Sequence, residues 1–202
     1  MKKLIIILSV MLTFCGCEVL NQLGSAYQMT QCEYKFHSVN NISAAGINFS
    51  QINDLSDINP LKVASLLTSL KSTSGTLPVE FTLNLDVKNP GTQTAALQST
   101  AFILQLDDKQ ITQGSVATPV QVLAGATGNL LLTLSFDLKS ALKGESIDKI
   151  KNVALALASY AGIDALGAAE PVKMTLLMKP NMTIGGQTVS IPNYIPIAFT
   201  LK

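Results

Sequence analysis

The chain has no arginine and no tryptophan in its 202 residues, one histidine and three cysteines. Each scarcity excludes something. Arginine supplies the planar fork that reads phosphate and guanine, and here 14 basic residues, all lysine, are offset by 13 acids. A basic face for nucleic acid is therefore not expected. The lone histidine, His37, would have to serve any Ser-His-Asp triad, and no Gly-x-Ser-x-Gly elbow presents a nucleophile to it. No His/Cys/carboxylate cluster has zinc spacing, so neither a metal nor a cofactor is expected. Charge is sparse, at 13% of residues against 48% hydrophobic, and Thr, Ser and Asn supply much of the polar remainder. That balance suits a β-rich exported protein. No repeat with a period of about 20–50 residues is present.

The amino terminus carries the sharpest signal. Lys2 and Lys3 precede an apolar run of 11 residues, Leu4 to Phe14, interrupted only by Ser9 and Thr13. A bilayer-spanning helix needs about 20 apolar residues, so the run has the length of a secretory signal. It ends in Phe14-Cys15-Gly16-Cys17, which resembles a bacterial lipobox: Gly16 is the small residue before the cut and Cys17 the lipidated residue. An ordinary secretory signal followed by a chance cysteine is the other reading. The lipobox gives three regions: residues 1–16 as signal peptide, 17–32 as lipidated cysteine and polar tether, and 33–202 as one domain. Two or more acyl chains anchor stably, so the membrane is the expected partner. No acidic run follows Cys17, which points to an outer-membrane protein facing the periplasm.

Cleavage removes Cys15 and lipid consumes Cys17, leaving Cys32 and no intramolecular disulfide. Cys32 reads as a partly buried apolar residue or as a free thiol near the tether. Without Lys2 and Lys3, 12 lysines face 13 acids, a net charge of −1.

From Tyr34 onward period-two alternation dominates. Tyr34, Phe36 and Ser38 open a first strand, and Ile42 to Phe49 suggests a second with a kink at Gly46. Asn59-Pro60 opens a helix whose Val63, Leu66, Leu67 and Leu70 share one face. The clearest strand is Leu77 to Val87: Val79, Phe81, Leu83, Leu85 and Val87 face a core and Thr82 faces water, so removing the Thr82 side chain should cost within about 0.5 kcal/mol. Asn89-Pro90-Gly91 stops this strand. Strands Ala101 to Leu106 and Gln110 to Val116 flank an Asp107-Asp108-Lys109 turn. Gly125 and Gly128 bracket another turn before Leu130 to Phe136. Helices are expected at Leu138 to Lys143 and Ser146 to Tyr160. Val172 to Met178, a Met182 to Ile191 hairpin around Gly185-Gly186, and Ile195 to Leu201 complete the pattern. About eight or nine short strands with two or three helices indicate a mainly β protein, an immunoglobulin- or fibronectin III-like β-sandwich with inserted helices.

Leu77 to Leu138 resembles the LEA type 2 family, the water-stress and hypersensitive-response domain. The resemblance lies in the strand ending Val87-Lys88-Asn89-Pro90, the Phe102 to Leu106 strand, Gln110 to Gly114 after an acidic turn, and Val120, Val122 and Leu123 before Ala124-Gly125. It implies a sandwich of roughly 100 residues without catalytic residues, with Asn89, Pro90 and Gly114 as its motif positions and with roles in stress protection or in associating with membranes and proteins.

Two functional classes remain. One is a non-catalytic envelope protein that binds other envelope proteins or a surface. The other is a carrier of a lipid or other hydrophobic ligand, using the helix around Leu66 and Leu67 and the Val153 to Ala169 segment to line a cavity. His37 reads as an exposed strand residue. Asp54 with Asp57, or Asp107 with Asp108, could offer oxygens to Ca²⁺ but match solvated turns better.

Overall fold

The computed structural model describes residues 21–49, 68, 75–160, 168–184 and 186–201. Residues 21–30 form a helix, α1. There follow β1 (Glu33–Ala44), β2 (Ile47–Asn48), β3 (Pro78–Lys88), β4 (Ala95–Leu97), β5 (Ser99–Leu106), β6 (Lys109–Val116), β7 (Val120–Val122) and β8 (Thr127–Asp137). Helices α2 (Leu138–Ala141) and α3 (Ile147–Tyr160) precede β9 (Val172–Ile184), β10 (Gln187–Ser190) and β11 (Ile195–Leu201).

One antiparallel sheet has the order β2-β1-β3-β8 and the other β10-β9-β5-β6, with β11 also on β9 and β4-β7 forming a small ribbon. The inward residues of both sheets meet in one core, so the expected β-sandwich with inserted helices is the observed fold. Strand β3 shows why. Val79, Phe81, Leu83, Leu85 and Val87 are all buried, as their alternation requires, and β3 pairs with β8 along its whole length, from Pro78 opposite Asp137 to Lys88 opposite Thr127.

The structure alters several local readings. Thr82 is not on a wet face: it is 7% exposed, and its hydroxyl lies 3.1 Å from that of Thr133, its cross-strand partner. The residues from Tyr34 to Ala44 belong to one strand with two irregularities. His37 is the extra residue of a bulge between Phe36 and Ser38, and a second register shift falls between Asn40 and Ser43. The predicted kink at Gly46 is a turn: Ala45 and Gly46 both have positive φ, and they reverse the chain into β2. Gly128 lies inside β8 rather than in a turn; a Cβ there would meet Val122 at 3.0 Å.

Strand β9 runs unbroken through Pro180, where the sequence suggested a break. The Pro180 carbonyl accepts from the Ile191 amide at 3.2 Å, so the ring nitrogen points to the same side. Along β9 the pairing with β11 ends at Met178, opposite Ile195, and the pairing with β10 begins at Asn181, opposite Ser190, so the missing N–H falls where the ladder changes strands. The predicted helix at Asn59 to Leu70 lies outside the described residues except for Thr68, which is helical.

The segment read as a polar tether is helical over 21–30, and its Ala26 and Met29 are buried, as is Cys32 just beyond it. Tyr34 fastens this element by donating its hydroxyl to the Met29 carbonyl at 2.9 Å. Helix α3 starts on the Ser146 hydroxyl, which accepts from the Lys149 amide, and buries Val153, Ala156 and Leu157. Its Tyr160 meets Phe36 edge-on, and Phe36 stacks on Phe199 of the other sheet.

Candidate functional site

Among the motif positions, Asn89 has the most demanding environment. It is fully buried just past β3. Its side-chain amide donates to the carbonyls of Gln93 (2.7 Å), Val122 (3.0 Å) and Leu123 (3.2 Å). Its Oδ1 accepts from the Gly91 amide at 3.0 Å, and its own backbone amide donates to the Ala126 carbonyl at 2.9 Å. Asparagine alone offers two donors and an acceptor in this small volume. It therefore clamps the 89–93 turn to the β7–β8 connection. Pro90 is exposed beside it, ending the strand. Gly114 lies opposite Phe102, whose ring comes within 3.0 Å of where a Cβ would stand, so the glycine leaves room for the aromatic. These positions are structural: they shape the sandwich and bring no reactive groups together.

Helix α1 docks on the end that Asn89 organises. The Gln28 side chain occupies the space a Cβ at Gly91 would need, and Gln93 does the same at Gly24. A cleft of about 280 Å³ joins Gln22 and Ser25 of α1 to Leu97, Gln121 and Met182, so β4, β7 and the end of β9 also meet here. No Asp, Glu, Lys or Arg stands in residues 21–32, 89–106, 110–136 or 180–201. Among the described residues the loops and the helix at this end are therefore uncharged, with Glu33 and Lys88, paired across β1 and β3, at their margin. Leu23, Tyr27 and Leu123 are 45%, 68% and 66% exposed.

The opposite end, beyond Asp137 and the β5–β6 turn, collects the charge. Asp107 and Asp108 both have positive φ in that turn. Lys109 pairs with Glu145 at 2.9 Å, and Lys149 bridges Asp107 (3.3 Å) and Glu145 (3.5 Å). The hydrogen bond and charge of Lys109 hold the Glu145 carboxyl below its usual range. For Lys149 desolvation pulls downward, but its contacts with Asp107 and Glu145 outweigh it and hold the ammonium above its usual value. Beside this network a cleft of about 560 Å³ is bordered by Asp107, Asp148, Lys149, Lys151, Asn152 and Glu170. Asn152 closes one wall by exchanging two hydrogen bonds with the Glu170 backbone.

The remaining sequence candidates separate in space. His37 is exposed, with Nδ1 3.1 Å from Asp86 Oδ2 across the strand pair. Cys32 is a buried free thiol whose Sγ donates to the Gln28 carbonyl. Burial pushes it up from its ordinary 9.0 to about 11. Burial, with the nearby Cys32, also raises Tyr34. At pH 8 the thiolate fraction of Cys32 falls roughly a hundredfold from that of an exposed thiol. The native protein should thus resist a thiol reagent at pH 8 and take up label at Cys32 only on unfolding. Rapid native labelling at that site, read by mass spectrometry, would refute the burial. Gly16, Cys17, Asp54 and Asp57 lie outside the described residues. Among the described residues no group of three His, Cys, Asp or Glu is placed to hold a metal ion, and no described helix is long and apolar enough to cross a membrane.

The charge segregation between ends was not foreseen from the sequence, although its uncharged stretches are visible there. No family model and no curated protein matches the chain. Among solved structures it is similar to a protein from Archaeoglobus fulgidus (14% identity, covering 83% of this chain and 98% of that one, TM-score 0.37). It is also similar to a protein from Arabidopsis thaliana (16% identity, 64% and 72% covered, TM-score 0.36). A third is described as a candidate late embryogenesis abundant (LEA) protein (12% identity, 83% and 71% covered, TM-score 0.36).

Proposed function

We propose that the chain is a bacterial cell-envelope lipoprotein, cut between Gly16 and Cys17, held by lipid on Cys17 to the outer membrane, and working in the periplasm by non-covalent binding. The observation that carries this reading is the polarity of the domain. The uncharged end receives the chain that leads back to Cys17, and the charged end, with Lys109, Glu145 and Lys149, points away from it. A domain anchored at one end and charged at the other is arranged to meet partners at a distance from the bilayer. A LEA type 2 role in stress protection or in contacts with other envelope proteins is the finer part of the proposal, supported by the Asn89-Pro90 strand end.

The carrier alternative asks for an apolar lining. The larger cleft mixes Leu106, Val153, Leu155 and Val172 with lysines and carboxylates, so it is no continuous apolar cavity; Leu66, Leu67 and residues 161–167 lie outside the described residues.

Cys17→Ser should abolish acylation and release the protein from the membrane fraction; continued labelling with a fatty-acid probe would sink the anchor assignment. In a complementation assay in the source bacterium, the double variant Cys32→Ala, His37→Ala should keep envelope function, and Lys109→Glu with Lys149→Glu should lose it. Loss of function in the first variant, with folding and attachment unchanged, would refute a role by binding alone.

A further inference from the structure

We infer that the uncharged end of the sandwich is a membrane-resting face, with Leu23 and Tyr27 of α1 and Leu123 of the β7–β8 connection seated among the lipid headgroups. This deepens the lipoprotein assignment and rests on it. The first step is one of reach. From Cys17 to Asn21, where the described helix begins, there are four residue steps, which even fully extended span about 14 Å. Helix α1 is packed onto the domain through Ala26 and Met29, so it cannot act as a spacer. The lipid and the sandwich are therefore held close together, and the end bearing α1 must face the bilayer.

The second step is one of composition. Bringing a surface into the headgroup region strips water from it, and desolvating lysines or carboxylates would oppose this. This end has none in α1, in the 89–98 loop, in the β7–β8 connection or in the β9–β10 hairpin. It offers instead three widely exposed apolar or amphipathic side chains. Leu23 and Tyr27 are four apart on the solvent side of α1, and tyrosine, with an apolar ring and a polar tip, suits the lipid–water boundary. Because the described segments of this face carry no charge and the link to Cys17 adds only the acidic Glu18, the attraction is apolar and needs no anionic lipid.

The absence of tryptophan allows a direct test. The acylated full-length protein, purified from membranes as Tyr27→Trp, Leu123→Trp or Ile147→Trp, is reconstituted into phosphatidylcholine vesicles with and without brominated acyl chains. Ile147 is also accessible, at 48% exposed, but begins α3 at the charged end. Bromolipid should quench the indole fluorescence of the Tyr27→Trp and Leu123→Trp variants several-fold more than that of Ile147→Trp, and the pattern should persist at high salt. If vesicles float with the protein but all three variants are quenched alike or not at all, the domain stands off the bilayer and the resting face is refuted. If the protein neither carries acyl mass nor floats, the anchor assignment fails and takes this inference with it.

Discussion

Asn89→Ala is expected to destabilise the domain by about 3 kcal/mol, because three carbonyls lose their donor in a buried corner and the 89–93 turn loses its clamp. Asn89→Asp, nearly the same shape, should be worse at neutral pH. It would set a carboxylate oxygen against the carbonyls of Gln93, Val122 and Leu123 with full burial. Both effects disfavour the ionised form, so the new group's folded pKa lies above its unfolded value of about 3.9. A group raised in the fold contributes its stability below the unfolded pKa and loses it as pH rises through the folded pKa. The deficit of Asn89→Asp relative to the wild type should therefore be smallest near pH 4 and should grow toward pH 7. Denaturant unfolding of both variants at the two pH values checks this. A deficit independent of pH, or an alanine variant as stable as the wild type, would show that the amide is not the clamp described.

The second large effect is at β3. Phe81 is 1% exposed and meets Phe136 edge-on with ring centres 6.0 Å apart. Phe81→Ala should cost roughly 3–5 kcal/mol through lost burial and the cavity it leaves. The neighbour on the other face separates two accounts of the strand. Alternation alone makes Thr82 indifferent to truncation, whereas its buried hydroxyl contact with Thr133 predicts a loss of about 1 kcal/mol for Thr82→Ala. Equal losses at both positions in a chemical unfolding series would mean that the core side of β3 has been misassigned.

Most of the sheet was legible because strand periodicity is a local property. β3, β5, β6, β8 and β11 lie within a few residues of their sequence readings, and Ser146 caps α3 as its position suggested. Helix α1 was not legible. It anchors itself with Ala26 and Met29 in a polar stretch containing Gly24, and its docking depends on Gln93 and Gly91, which are distant in sequence. The sequence divides β9 into Val172 to Met178 and a hairpin from Met182, because it cannot show that the neighbour strand changes between them while β9 continues.

The sequence by itself determined the alternating strands, the lack of arginine, the single cysteine left beyond the lipobox and the lipobox pattern at Gly16-Cys17, since each depends only on residue type and spacing. The tertiary structure alone decided that separated uncharged stretches share one end, that Lys109, Glu145 and Lys149 gather at the other, and that Thr82 is buried. The reason is antiparallel register: which loops become neighbours is set by pairings such as Glu33 opposite Lys88 and Pro78 opposite Asp137, and those are contacts between residues far apart along the chain.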